Sequence, residues 1–220
     1  MTSEESVRAV ENPLIGSVAD WLMAQALAEC EVEGLFGGCC NRLRAAGIPL
    51  WRAYLTFRTL HPLFRAISLT WRQEGGLESV GHLHTDISAA WRQSTLRHMM
   101  ESQIPFLRRR LVGEGAVLDF PVLTELRDKG AQDYFAYLVP FGSVSPDELR
   151  PDGIAGSWST DRASGFTEAD IHSLQRIQQR LAVACKVTIK DQIARNILSA
   201  YLGADAGRQV LDGRIKRGDG

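Results

Sequence analysis

The sequence predicts an α+β domain: an antiparallel sheet with helices packed on it, on one face, followed by one long C-terminal helix. Three observations carry this. Apolar residues recur at three- and four-residue spacing between Leu14 and Ala46. Alternation at every second residue takes over in short segments from Trp51 onward, which is the period of a half-buried strand. From Glu168 to Leu202 the chain then runs without proline or glycine, about 35 residues or about 52 Å of helix.

The elements follow in order. Leu14, Val18, Trp21, Leu22, Gln25 and Ala26 form the face of a first helix, and Val32, Leu35, Phe36, Cys39, Cys40 and Leu43 that of a second. Gly47 and Pro49 end the helical stretch. Trp51, Ala53, Leu55 and Phe57 alternate with Arg52, Tyr54, Thr56 and Arg58 in a first strand. A break at His61-Pro62 precedes a second strand, with Leu63, Ile67, Leu69 and Trp71 inward. "QEGGLES" reads as a loop, and residues 80–93 have no clean period. Ser94 caps a short helix through Ser102, and "FLRRRLVG" reads as a strand. Residues 121–129 form a short helix closed by Gly130. "DYFAYLVPF" and "GIAGSWSTD" are two further strands around a loop from Gly142 to Gly153. Thr167 with Asp170 makes a capping box for the long helix, and Phe166 can staple to Ile171.

The 220 residues suffice for one large domain, or one domain with an appendage, and for a core without staples. A net charge of −1 argues against broad electrostatic binding to nucleic acid or to an anionic membrane. No run approaches the roughly 18 apolar residues of a spanning helix, and Met1–Ser6 does not resemble a secretory leader. Cys30, Cys39, Cys40 and Cys185 form no CxxC pair, so reduced, buried thiols in a cytoplasmic protein are expected.

Chemical signatures are sparse. The phosphate-loop, dinucleotide, nucleophile-elbow and zincin motifs are absent, and no catalytic constellation stands out. His82 and His84 share a face if extended, but two ligands do not make a zinc site, and nothing places His61 or His98 beside them; no metal site is expected. Arg108–Arg110 could contact a phosphate, but a solvated edge or internal ion pairs is the plainer reading. Cys39-Cys40 reads as core packing. Trp71, Trp91, His98, Phe106, Tyr137 and Trp158 are the candidate lining of a small-molecule pocket, with plain core as the competing reading. On the long helix Leu181, Cys185, Ile189, Ile193, Ile197 and Tyr201 recur every four residues. Such a stripe predicts a partner helix and hence a homodimer, or else a fold-back onto its own domain.

The tail carries a family resemblance. "ARNILSAYLGADAGRQVLDGRIKRGDG" resembles the segment preceding the catalytic domain of bacterial class III adenylate/guanylate cyclases, where a helix ends in Y-L-G-x-x-A-G-x-x-V-L-x-G. The matching positions are Tyr201, Leu202, Gly203, Ala206, Gly207, Val210, Leu211 and Gly213. "AAGIPLWRAYLTFRTLHPLF" and "GSWSTDRASGFTEADI" are similar to the GAF-like sensory regions of one group of these cyclases.

The resemblance implies a flexible N-terminus at 1–13, a GAF-like sensor at 14–165, a dimerising signalling helix at 166–202, and a linker at 203–220 leading to a catalytic domain absent from this sequence. No catalytic residue carries over, and no cofactor is implied for these residues. Magnesium or manganese would belong to the catalytic domain. The implied function is control of cAMP synthesis from ATP through a small-molecule ligand. The alternative is a stand-alone binding or dimerisation module.

Overall fold

The structure is a computed structural model that describes residues 12–28, 30–59, 63–85, 89–142, 152–211 and 213–214. Two helices open the chain, α1 (Pro13–Ala26) and α2 (Val32–Ala45). Strands β1 (Arg52–Arg58), β2 (Phe64–Arg72) and β3 (Gly76–Leu83) follow, then α3 (Ala89–Arg92) and α4 (Thr95–Glu101). After them come β4 (Phe106–Arg110), α5 (Pro121–Asp128), β5 (Asp133–Pro140), β6 (Gly153–Thr160), α6 (Glu168–Leu202) and α7 (Ala204–Leu211).

The strands form one six-stranded sheet in the order β3-β2-β1-β6-β5-β4, with every pair antiparallel. Alternation sorts their side chains between two layers of helix. Ala53, Leu55, Phe57, Phe135, Tyr137, Ile154 and Trp158 pack with α1, α2 and the first half of α6 in the larger core. Tyr134, Ala136 and Ala155 face the other way, into a smaller core with Leu96 and Met99 of α4 and Leu123 and Leu126 of α5. Helices therefore cover both faces, where the simplest reading of the sequence has them on one.

The largest addition to the expected fold is β3. The sequence reads its first half as loop because the strand lies at the sheet edge, with Glu78, Ser79 and Val80 exposed, so no buried alternation marks it. Gly76, at φ +68, closes the turn from β2. A close approach fixes the centre of the sheet: a Cβ on Gly156 would lie 2.4 Å from the Tyr54 carbonyl oxygen and 2.5 Å from the Tyr137 hydroxyl. Only glycine lets the Tyr137 ring lie across β6 to stack on Trp158, at 5.4 Å between centroids.

The long helix begins as the sequence predicts. Thr167 Oγ1 accepts from the Asp170 amide, the Asp170 carboxylate accepts from the Thr167 amide, and Phe166 and Ile171 are both buried. Leu181, Cys185 and Ile189 are buried in the chain's own core, and Ile193 packs at its margin. The inner half of the stripe is thus used within the molecule, while Ile197 and Tyr201 are exposed. A second apolar pair, Val183 and Val187, faces outward on α6. After Gly203, at φ +83, residues that read as linker form α7, which packs back against the end of α6. Of the expected linker, 212 and 215–220 lie outside the described residues, as do 1–11 of the expected flexible N-terminus and His61.

Candidate functional site

A cavity of about 920 Å³ lies on the face of the sheet opposite α1 and α2. Its floor is the outward set of β1 (Arg52, Tyr54, Thr56, Arg58) with Ser157 and Ala155 of β6 and Tyr134 and Leu138 of β5. The register explains the grouping, since Tyr54 pairs with Ser157 and Thr56 with Ala155, and paired residues share a face. Trp91, Leu96 and Met100 wall it from α3 and α4, and Val122 and Glu125 from α5. At the ends of β1, β5 and β6 the cavity continues past Arg58, Pro140 and Gly153 to Asn196, Ile197, Ala200 and Tyr201 of α6. Volume and mixed lining are those of a small-molecule site.

The polar groups are mostly engaged with one another. Tyr134 Oη and Thr95 Oγ1 are 2.7 Å apart in the buried wall, and burial pushes the tyrosine pKa up. Thr56 donates to the Ile67 carbonyl at 2.9 Å. Ser68 Oγ and His82 Nε2 are 2.8 Å apart. His82 and His84 both line the cavity, as their spacing predicts for an extended segment. Among the described residues no three His, Cys, Asp or Glu side chains converge to hold a metal ion.

Of the predicted pocket residues, the structure brings only Trp91 to the cavity. Trp71, Tyr137 and Trp158 are buried in the larger core and Phe106 packs at its margin, all on the opposite face. Trp71 donates its indole N–H to Asn41 Oδ1 at 3.1 Å, and Phe106 lies 5.9 Å from Phe135. The physical reason is parity: both faces of β5 and β6 are covered, so aromatics at positions of either parity look equally buried from sequence. His98 is exposed beside Phe120, 5.3 Å between rings. The polar parity of β1, the alternation Arg52-Tyr54-Thr56-Arg58, is the sequence signal for this floor, and a half-buried strand alone does not distinguish it from a solvent face. The outermost two residues of the helix stripe, Ile197 and Tyr201, also reach the cavity.

The arginine triplet resolves into ion pairs. Arg108 Nη2 lies 2.9 Å from the buried Asp133 carboxylate and Arg108 Nη1 2.7 Å from Glu168. Arg109 reaches Asp119 at 2.7 Å, holding that carboxyl below its usual range, and Arg110 lies 3.6 Å from Asp133. No phosphate contact is needed to explain them.

Comparison with solved structures places the fold. The phycoerythrobilin-bound GAF domain of a cyanobacterial phytochrome matches with a TM-score of 0.50 at 14% identity, covering 80% of this chain and 96% of that one. The chromophore-binding domain of a bacteriophytochrome from R. palustris matches at TM-score 0.48 and 11% identity, covering 81% of this chain and 62% of that one. The GAF domain of a two-component sensor histidine kinase from Bacillus halodurans gives 0.40 at 12% identity, covering 82% and 94%. No family model matches the chain, and no curated protein matches it. The chain has a GAF-like α+β fold, and among the described residues no helix is long and apolar enough to cross a membrane.

Proposed function

We propose that this chain is the regulatory region of a cytoplasmic class III nucleotide cyclase, with a GAF-like sensor at 14–165 whose ligand controls a helix leading toward a catalytic domain that makes cAMP from ATP. The observation that carries the sensing part is the cavity: one space of about 920 Å³ touches both the sheet floor and Asn196, Ile197, Ala200 and Tyr201 of α6. A ligand filling it contacts the outgoing helix directly. Occupancy then shifts the arrangement of α6 by whatever affinity difference the ligand has for its two positions. The cyclase link rests on the tail residues Tyr201 to Gly213, whose spacing matches the family segment. Two copies pair through the exposed parts of the helix, Val183 and Val187 with Ile197, Tyr201 and Leu202. The chain itself is regulatory, and any catalytic metal belongs to the cyclase domain.

The test uses phenylnaphthylamine, an uncharged fluorescent probe of cavity size, with sedimentation velocity run alongside the titration. Wild type is expected to bind it and to change its monomer–dimer distribution. Leu138→Trp, which builds bulk into the floor, is expected to weaken binding at least about tenfold, or about 1.4 kcal/mol. Binding by wild type of neither this probe nor its sulfonated analogue, or equal binding by a folded Leu138→Trp variant, refutes the cavity as a ligand site. A monomer at all concentrations, with and without probe, refutes the pairing mechanism.

A further inference from the structure

We infer that the cavity takes an organic anion, a molecule with an apolar body and one negatively charged oxygen group, and that Arg52 binds the charge. This rests on the cavity being a ligand site and adds the ligand's chemical class. The ground is a guanidinium in the cavity floor with no hydrogen-bond acceptor and no close carboxylate among the described residues. Arg52 is only partly exposed, on a strand flanked on both sides. Among the described residues its side chain makes no hydrogen bond and no ion pair within 4.0 Å; its one close partner is the Tyr54 ring, 5.6 Å from Cζ.

The surrounding charges sharpen the point. Arg72 is paired directly opposite Arg52 on β2, and its guanidinium takes Glu78 at 3.0 Å. Two like charges thus sit at one register position with a close carboxylate for only one of them, an arrangement that is unfavourable by itself. The carboxylate whose field reaches Arg52 is Glu125, exposed on α5 and the weakest of the influences on it, while burial pushes the guanidinium pKa down. Asp152, at the far end, faces Arg58 at 4.0 Å. A half-buried guanidinium whose five donors meet no acceptor among the described residues is costly until an anion arrives, and its planar fork suits a carboxylate, sulfonate or phosphate. Trp91, Leu96, Met100 and Leu138 supply the apolar surface for the rest of the molecule.

The experiment compares two probes that differ by one group: anilinonaphthalene sulfonate, and phenylnaphthylamine, the same ring system without the sulfonate. Both are titrated into wild type, Arg52→Met, Arg52→Gln and Arg52→Lys, with melting curves to confirm folding. Wild type is expected to bind the sulfonate, and Arg52→Met and Arg52→Gln to lose at least about tenfold in affinity for it, about 1.4 kcal/mol, with the uncharged probe unaffected. Arg52→Lys is expected to fall between, keeping a charge without the fork. Unchanged sulfonate binding in whichever of the two neutral variants folds overturns the inference. So does an equal loss of both probes, which would make Arg52 a wall residue. If the uncharged probe binds wild type while the sulfonate does not, the cavity stands and the anion fails; if neither binds, the ligand site itself fails.

Discussion

Asp133→Ala is expected to lower the unfolding free energy by about 3 kcal/mol, the lower end of the cost of removing one partner from a buried ion pair. The carboxylate is fully buried and accepts from Arg108 Nη2 at 2.9 Å and from the Phe166 amide at 3.0 Å, with Arg110 at 3.6 Å. Both arginines reach solvent in part, which moderates the loss. The clamp matters for the helix as well as the sheet. Arg110 Nη1 donates to the Ser164 carbonyl at 2.6 Å and Arg108 Nη2 to the Phe166 carbonyl at 2.5 Å, so Asp133 and its arginines fix the turn from which α6 starts. Gly165 in that turn has φ +71, and a Cβ there would collide with the Arg110 guanidinium. Urea denaturation of Asp133→Ala should show the loss as a lower midpoint. Glu168→Gln, at an exposed partner of the same Arg108, should stay within about 1 kcal/mol of wild type. A difference below about 1 kcal/mol for Asp133→Ala would remove this clamp from the account.

Stability is expected to fall steeply above pH 9, for a reason that lies in the larger core. Cys39, Cys40 and Cys185 are free thiols, completely buried. Burial pushes Cys39 from 9.0 up to about 12, and raises Cys40 and Cys185 as well. The unfolded chain releases these protons near 9.0 while the folded chain keeps them. Between that value and about 12 the unfolded state therefore binds fewer protons, and stability declines as pH rises. Each thiol contributes a slope of about 1.4 kcal/mol per pH unit, so the three together approach about 4 kcal/mol per unit. That exhausts a typical domain stability within a few pH units. Urea midpoints at several pH values between 8 and 11 test this, using wild type and a variant with all three thiols replaced by alanine. A flatter pH profile in the variant is the predicted result. Identical profiles would show that the thiols do not report core burial.

Much of this architecture was legible in the sequence because its signals are local. The capping box at Thr167 and Asp170 needs only four residues to be read, and the alternation of Trp51 to Arg58 declares a half-buried strand unaided. β3 was not legible because an exposed edge strand has no burial to alternate. The pocket was not legible for a different reason. Tyr134 and Tyr137 sit three residues apart on one strand, yet one walls the cavity and the other stacks on Trp158 in the opposite core. Sequence shows that both are aromatic and on a strand, but parity acquires a direction only once the sheet is placed between two helical layers. Arg52 was hidden in the same way, as one of many arginines, until register put it opposite Arg72, whose guanidinium takes Glu78.

A ligand on the face of the sheet away from α1 and α2 is expected to touch the outgoing helix as well. Chemical-shift mapping of the 24.3 kDa protein with anilinonaphthalene sulfonate tests it most directly. Shifts are expected at Arg52, Tyr54, Thr56, Trp91 and Ser157, extending to Ile197 and Tyr201 on α6. Shifts confined to the outward face of α1 and α6, around Leu14, Val183 and Val187, would contradict it.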